Sequence, residues 1–336
     1  MHFGISGSAV RIGAVSICAG AMVRPEGIPM PQRIAILHGR ERTFPAAFIA
    51  EVNRRNVGVV AEEARIPFGS TEHSRPYDVI VDRISHEVPF YQTWLKQQSL
   101  EGARVINNPF WRLADDKYFG TCLAKKLGIA VPRSIVLPQR AYVEDISPES
   151  LTNMLLTNWE EVAAFTGWPC FLKPTHGGGW KSVHKCSNMD ELLQNYNKSG
   201  QTLMMLQEGI QWEAYARLVC IGKKDIRIAP WNPDKPHHER YSKADFHYGP
   251  ELEALMVRQG QILNEALGYD MNTVEFAIRD GVPYAIDFMN TSPDFDANSL
   301  TPETFTWVVN KMADLTIRLA QNPSQSDVPP RCADLI

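Results

Sequence analysis

Two carboxylates and one amide lie near the C-terminal end of the chain, and their residue types suit a metal ion. Val274–Ile278 and Val282–Phe288 are rich in β-branched and aromatic residues and flank an Arg-Asp-Gly turn, which predicts a β-hairpin. Glu275 and Asp287 then face each other across the hairpin, and Asn290 follows it. Such oxygen ligands suit Mg²⁺ shared with a nucleotide's phosphates. A hairpin with its charges in solvent is the alternative.

A second candidate for chemistry is a lysine followed by three consecutive glycines. Lys173 ends an apolar strand pattern, Gly177, Gly178 and Gly179 follow, and a strand-like return runs through Val183. Consecutive glycines let backbone N–H groups approach phosphate oxygens closely. A plain flexible hairpin loop is the alternative. The stretch lacks the GxxxxGK[ST] pattern of a Walker A loop.

Composition limits the classes of function. The chain has 336 residues, of which 44% are hydrophobic and 21% charged, as in a soluble globular protein of two or three domains. The net charge of −4 provides no overall field that would attract nucleic acid or an acidic membrane. No apolar run reaches the ~18–20 residues of a membrane span. We therefore expect neither nucleic acid nor membrane as a partner.

The cysteines and the N-terminal stretch indicate the cellular setting. The six cysteines show no CxxC pair and no Cys/His ligand spacing, so we expect buried, reduced thiols in a cytoplasmic protein. Residues 1–29 are rich in Gly, Ala and Ser, and Arg11 interrupts their apolar part. We interpret them as a disordered leader or a mis-assigned start ahead of Met30. A weak export signal is the alternative.

The elements that must position these residues can be predicted from periodicity. Strands alternate with helices over residues 30–110, which predicts a small α/β domain with parallel pairing and no GxGxxG turn. Asp115 and Asp116 are expected in the first turn of a helix. The longer predictions are helices over Ala114–Leu127, Ser147–Thr166, Glu251–Leu267 and Thr301–Gln321, and a polar loop over Trp231–Phe246.

The order of these motifs carries a resemblance to a known family. Asp116-Lys117, Phe171-Leu172-Lys173-Pro174 with its glycines, Gln207-Glu208, Glu213 and the hairpin follow one another as in the ATP-grasp superfamily. The chain resembles that superfamily from about Arg33 to Leu319, most closely glutathione synthetase and the ligases that add glutamate to a ribosomal protein. The resemblance implies an α/β fold with a Rossmann-like pre-ATP-grasp domain over 30–110. It also implies a central subdomain over 111–200, a C-terminal subdomain over 201–322 and a flexible tail over 323–336.

The resemblance also implies roles for individual residues. Lys117 and Lys173 are similar to the lysines that contact the nucleotide's phosphates, and a solvated helix lysine is the alternative for Lys117. Glu213 resembles the acid that binds ribose, although Glu208 and Glu213 are also explained as exposed charges at strand ends. The lid and the adenine hinge correspond to Gly177, Gly178, Gly179, Trp180, Ser182 and Val183, and to Gln207, Glu208, Gly209 and Ile210. Glu275, Asp287 and Asn290 correspond to the metal ligands, for Mg²⁺ or alternatively Mn²⁺.

Three basic residues are the catalytic candidates. Lys173 and Arg217 can neutralise a transferred phosphoryl group, although Arg217 could instead pair with an acid. Arg227, the third candidate, could bind an anionic amino acid or peptide. Near them, the polar loop offers side chains for an anionic amino acid or peptide, namely His237, His238, Arg240 and Tyr241. Adjacent histidines on a loop lack the ligand spacing of a zinc site. A solvated polar loop is the alternative.

The expected function is ATP- and Mg²⁺-dependent, ADP-forming ligation of a carboxylate to an amine through an acyl-phosphate. The substrates would be amino acids or short peptides, and a homodimer is the default oligomer. One departure matters: the family has one residue between its last two metal ligands, whereas Asp287 and Asn290 are separated by two. A β-bulge would restore the geometry. The alternatives are a catalytically reduced, ATP-binding regulator or scaffold, and another ATP-grasp chemistry of the D-alanine–D-alanine or carboxylase type.

Overall fold

A computed structural model of the chain describes residues 31–66, 71, 76–110, 116–236, 239–241 and 246–323. The predicted leader, Asp115, the His237-His238 pair and most of the predicted tail lie outside these ranges. The β-strands are β1 (Gln32–Leu37), β2 (Val59–Glu63), β3 (Val79–Asp82), β4 (Arg104–Ile106), β5 (Ser134–Val136), β6 (Cys170–Pro174), β7 (His184–Cys186), β8 (Met204–Glu208), β9 (Ala214–Ile221), β10 (Asp225–Pro230), β11 (Met271–Arg279) and β12 (Val282–Asp287). The α-helices are α1 (Thr43–Arg55), α2 (Pro89–Leu100), α3 (Lys117–Lys126), α4 (Trp159–Thr166), α5 (Met189–Asn197), α6 (Pro250–Leu267) and α7 (Pro302–Gln321).

The first of the sheets in the described ranges is parallel, with strand order β2-β1-β3-β4. Successive residues of β1 point to opposite faces, and both faces are buried. Ile34 and Ile36 pack toward α1 and α7, whereas Ala35 and Leu37 pack with Trp94 of α2. Burial on both faces explains why these strands read as continuous apolar runs. The predicted parallel α/β arrangement is confirmed.

The second sheet is antiparallel and has the order β5-β8-β6-β7. Cys170 and Leu172 of β6 pack with α4 and α5 in an apolar cluster. Phe171 and Lys173 alternate with them along the strand and therefore face the other side of the sheet. The turn between β6 and β7 carries the three glycines. This alternation directs Lys173 away from the helices.

The third sheet is also antiparallel, in the order β10-β9-β11-β12, with α6 on one face and α7 on the other. The predicted hairpin is β11–β12. Its two-residue turn has positive φ at both Asp280 (52°) and Gly281 (70°), as a type I′ turn requires. Helix α7 additionally packs on α1 and on β1, β2 and β3, and so covers the first sheet as well.

The predicted helix over Ser147–Thr166 is wrong in its first half. Pro148–Leu151 forms one 3₁₀ turn, and the α-helix begins only at Trp159. The side chain of Asn158 accepts a hydrogen bond from the Glu161 N–H and so caps that later start. The seven residues that separate the 3₁₀ turn from this helix are not visible in the apolar pattern, which continues through Leu155 and Leu156.

Three smaller expectations also need correction. Asp116 lies just outside the first turn of α3 and caps it, because its carboxylate accepts the N–H groups of Tyr118 and Phe119. The return strand after the glycines begins at His184 rather than at Val183. Cys122 is exposed, whereas the other described cysteines are buried free thiols: Cys170, Cys186 and Cys220.

Among the helices in the described ranges, none combines the length and the apolar character that crossing a bilayer requires.

Gly209 permits the closest backbone approach near the second sheet, and this generates a stability prediction. Its N–H donates to the Pro169 carbonyl at 2.9 Å, and a Cβ added at Gly209 would lie 2.5 Å from that oxygen. We expect Gly209→Ala to lower the free energy of unfolding by about 1–3 kcal/mol, measured by urea denaturation. Gly178→Ala is the matched control, because nothing lies within 4 Å of its added Cβ. Equal stability of the two variants would contradict the steric argument.

Candidate active site

The two carboxylates proposed as metal ligands are direct partners across the β11–β12 ladder. Phe276 pairs with Ala285, but Glu275 pairs with Asp287, so Ile286 is an extra residue in β12. Without this bulge, regular alternation would place Asp287 on the opposite face from Glu275. The bulge therefore brings both carboxylates to one face, where the side chain of Glu275 is 12% exposed and that of Asp287 is 41% exposed.

Cations from three different elements converge on this pair. Lys117 Nζ, at the start of α3, lies 3.2 Å from an Asp287 carboxylate oxygen. Arg217 Nε of β9 lies 3.7 Å from a Glu275 carboxylate oxygen. Lys173 Nζ of β6 donates to the Ile286 carbonyl at 3.4 Å, which joins the second sheet to the third. These contacts assemble the site from segments up to 170 residues apart.

The electrostatics differ between the two carboxyl groups. Burial raises the pKa of Glu275; Arg217 acts in the opposite direction, and the neighbouring charge of Asp287 adds to the increase. Burial also acts to raise the pKa of Asp287, but the ammonium groups of Lys117 and Lys173 outweigh it and lower that pKa. The pKa values of the two carboxyl groups are therefore shifted in opposite directions, and Arg217 is the cation that favours the ionised form of Glu275.

Asn290 lies on the same face, although two residues separate it from Asp287 where the family has one. Its backbone N–H donates to the side-chain oxygen of Asn272 at 2.8 Å, and its side-chain amide donates to Thr273 Oγ1 at 3.0 Å. Asn272 also donates to the Phe288 carbonyl at 2.8 Å, which holds the irregular segment in place. Thr273 accepts a further bond from Arg217 at 3.1 Å. Asn272 and Thr273 escaped the sequence prediction, although the two-residue spacing of Thr273 and Glu275 signals a shared face.

The donor set suits a hard divalent cation. Glu275, Asp287 and Asn290 offer only oxygen ligands, as Mg²⁺ prefers, and leave room for phosphate oxygens and water. In the described ranges, no three or more His, Cys, Asp or Glu side chains cluster as metal ligands. The protein's part of such a site would be two carboxylates and one amide, completed by a ligand.

Lys173 is the most deeply buried cation of the site, with 7% of its surface exposed. Its Nζ donates to the side-chain oxygen of Gln207 at 2.9 Å. Burial lowers the pKa of Lys173 to about 8, with Lys117 acting in the same direction and Asp287 in the opposite one. A buried ammonium group held by neutral oxygens retains the capacity to bind an anion.

The glycine-rich loop begins next to Lys117, whose backbone N–H donates to the Thr175 carbonyl at 2.9 Å. Gly177 and Gly179 have φ values of 103° and 67°, which favour glycine. Two non-glycine residues of the loop share this conformation, Trp180 at 60° and Ser182 at 57°. The loop is exposed and open beside its glycines. Its backbone can therefore approach a ligand.

The side chains of the predicted hinge contact other residues of the protein, which leaves its backbone as the part that would contact adenine. The side chain of Gln207 is occupied by Lys173, and the carboxylate of Glu208 lies 3.1 Å from both Arg133 and Arg279. Ile210 packs in the core. Glu208 is thus ion-paired rather than a solvated charge.

The remaining predicted residues lie at the margins of this cluster. Glu213 is exposed beside β9 and accepts the Asp280 N–H at 3.4 Å, so it is free to turn toward solvent or a ligand. Arg227 donates to Thr304 of α7 at 3.1 Å. In the described part of the chain it makes no ion pair with Glu275 or Asp287, which separates it from the central group.

Comparison with known proteins gives the fold. No protein-family model and no curated protein matches the chain. Among solved structures, a RimK domain protein from Sphaerobacter thermophilus is 18% identical, with a TM-score of 0.60 over 85% of this chain and 99% of that one. The D-alanine–D-alanine ligase of Bacillus anthracis, complexed with ATP, is 18% identical, with a TM-score of 0.59 over 86% and 97%. The chain has the ATP-grasp fold.

A third structural neighbour is the ATP-grasp ligase PsnB in complex with a minimal precursor. It is 14% identical, with a TM-score of 0.58 over 84% of this chain and 99% of that one. Another structure of PsnB contains Mg and ADP. The predicted α/β ATP-grasp fold is confirmed, and the identities are too low to transfer a reaction.

The buried Lys173 generates a prediction on pH. Its pKa is about 8 in the folded chain, below the ~10.4 of an unfolded lysine. Between these values the unfolded state binds more protons, so the stability contributed by this group rises with pH. From about pH 8 to about pH 10.5, we expect wild-type stability to rise by up to about 3 kcal/mol relative to Lys173→Met. Urea denaturation measures this difference.

The control for this prediction is the exposed Lys224. Lys224→Met removes one lysine at an exposed position, so it controls for the loss of a positive charge as such. A wild-type minus Lys173→Met difference that stays flat over this pH range would show that Lys173 is not desolvated.

Proposed function

We propose that this ATP-grasp protein is an ATP- and Mg²⁺-dependent, ADP-forming ligase that joins a carboxylate to an amine through an acyl-phosphate. The observation that carries the proposal is the convergence of Lys117, Lys173 and Arg217 on the Glu275–Asp287 pair. Phosphoryl transfer needs positioning and charge neutralisation more than side-chain nucleophiles. Three cations beside two metal-binding carboxylates supply that combination.

The reaction would proceed in two steps. A carboxylate oxygen of the first substrate attacks the γ-phosphorus of ATP, the bond to the β-phosphate oxygen breaks, and ADP leaves. The amine of the second substrate then attacks the acyl carbon, inorganic phosphate leaves with its bonding electrons, and the nitrogen loses a proton. Bound Mg²⁺ would supply charge neutralisation at the phosphates.

Different residues of the chain would contact the phosphates of ATP and the phosphoryl group that is transferred to the substrate. Lys117 and Lys173 lie where they can exchange the carboxylate and neutral oxygens that they now contact for phosphate oxygens. Arg217 would stabilise the transferred group, since it stands between Glu275 and Thr273. The glycine-rich loop would cover the phosphates and keep water from a hydrolysable intermediate.

The proposed substrates are amino acids or short peptides. In support, structural neighbours include a D-alanine–D-alanine ligase and PsnB with a precursor peptide. The D-alanine–D-alanine type of chemistry belongs to the same reaction class. The second candidate is a nucleotide-binding regulator with reduced turnover. It is motivated by the two residues between Asp287 and Asn290, although the Asn272 contacts favour an intact site.

The decisive experiment is ADP release measured across a panel of amino acids and dipeptides, with products identified by mass spectrometry. We expect release that requires Mg²⁺, a carboxylate and an amine together. Lys173→Ala should abolish it, and Asp287→Asn should lower it by about 100-fold or more, because each removes charge from the phosphoryl-transfer site. Mn²⁺ substituted for Mg²⁺ tests the alternative metal.

Lys224→Ala is the matched control, because this exposed lysine lies in the turn before β10, and it should retain wild-type rates. Nucleotide binding without ADP release over the whole panel would favour the regulator. Release that is unaffected by Lys173→Ala would contradict the assigned site.

A further inference from the structure

Arginine and tryptophan side chains alternate in a line that leads from the carboxylate pair to the glycine-rich loop. The guanidinium of Arg217 lies 5.3 Å from the ring centre of Trp231. Arg240 lies 5.2 Å from the same ring and 5.5 Å from the ring of Trp180. Because Arg217 also pairs with Glu275, the line connects the predicted metal site to the loop above it.

One end of this line is firmly held. Trp231 is 2% exposed and packs in the main core. Arg240 is anchored to the same segment twice: its Nε donates to the Lys235 carbonyl at 3.1 Å, and its own carbonyl accepts the Asn232 N–H at 2.9 Å. The guanidinium is therefore presented from a defined position on the face of the cleft.

The other end belongs to an exposed loop. The side chain of Trp180 is 52% exposed, and its backbone has a φ of 60°, a conformation that side-chain-bearing residues rarely adopt. Among the described residues, the ring of Trp180 makes one contact with a cationic or aromatic group, and that is the cation–π contact with Arg240. The exposed indole of Trp180 is thus held near Arg240 by a backbone conformation that costs free energy.

From these contacts we propose that Trp180 and Arg240 act as positioning residues that clasp the glycine-rich loop onto the side of the cleft formed by Trp231 and Arg240. The inference rests on the proposed function, in which that loop covers the nucleotide. Nucleotide binding under the loop then orders Arg240, and with it the side of the cleft where the second substrate would bind. The two substrates are thereby bound cooperatively through one exposed contact.

The chemistry of the pair suits a contact that forms and breaks during each turnover. A planar guanidinium stacks on an indole in a way that a lysine ammonium group does not reproduce. A cation–π contact at an exposed site is worth about a two- to five-fold change in an equilibrium constant. This is enough to bias the loop toward closure without locking it.

The first test reads the clasp without any ligand. Acrylamide quenching of tryptophan fluorescence should increase in Arg240→Met, because the guanidinium no longer covers the Trp180 ring. The increase should be absent when the same change is made in Trp180→Phe, which isolates the signal of this one tryptophan. Arg140→Met is the matched control, because Arg140 is exposed and donates to Asn197. Equal quenching of wild type and Arg240→Met would overturn the clasp.

The second test is a double-mutant cycle on binding of a non-hydrolysable ATP analogue with Mg²⁺. Trp180→Leu and Arg240→Met should each weaken binding by about two- to five-fold, and the double variant should be no weaker than either. Trp180→Phe should restore most of the affinity. In steady-state assays, both single variants should raise KM for the second substrate more than they lower kcat. Multiplicative effects in the cycle would overturn the coupling.

The two tests separate this inference from the proposed function. If the wild-type chain bound no nucleotide, the proposed function and the coupling would both be wrong, and the quenching experiment would still decide whether the clasp forms. If nucleotide bound and the cycle showed no coupling, the ligase proposal would stand and the clasp would not serve binding.

Discussion

The site depends on keeping two carboxylates side by side in a cleft that solvent reaches only in part. Two neighbouring carboxylates repel each other, and burial removes part of their hydration. Both therefore stay ionised only where cations or a metal ion compensate their charge. Lys117, Lys173 and Arg217 supply that compensation, and each arrives from a different element. The second and third sheets must therefore meet at this point, and the bulge at Ile286 must turn Asp287 toward Glu275. Charge compensation thus links the local irregularity of one strand to the way the sheets come together.

Most of the scaffold could be predicted from the sequence because each element carries its own period. The buried parallel strands, the hairpin with its Asp-Gly turn and the ATP-grasp fold are confirmed. The position of the bulge could not be predicted: the sequence suggested one between Asp287 and Asn290, whereas the extra residue is Ile286, before Asp287. The same holds for the support of Asn290 by Asn272, which depends on contacts 18 residues apart. Long-range pairing also explains Glu208, whose partners Arg133 and Arg279 come from distant segments.

The candidate site combines paired strands with an exposed loop. Strands β9, β11 and β12 hold Arg217, Glu275 and Asp287 on hydrogen-bonded ladders, whereas the glycine-rich loop is exposed and rich in positive φ. The three glycines predicted such a loop. Trp180 was predicted as a member of the loop, without a contact of its own. Its contact with Arg240 emerges because residues far apart in sequence face each other across the cleft. Exposed loops beside a site are the regions in which ligand-driven closure is expected.

The last helix has a consequence for how the protein is made. Helix α7 packs on α1 and on the first three strands, and Arg55 of α1 donates to the Asn310 carbonyl across 255 residues of sequence. Until α7 has been synthesised, this apolar face of the first sheet is covered only in part, by α1. Contacts of such high sequence separation slow folding, and apolar surface exposed in the meantime favours aggregation. The core of the first sheet is therefore completed only when α7 docks, whichever reaction the finished protein catalyses.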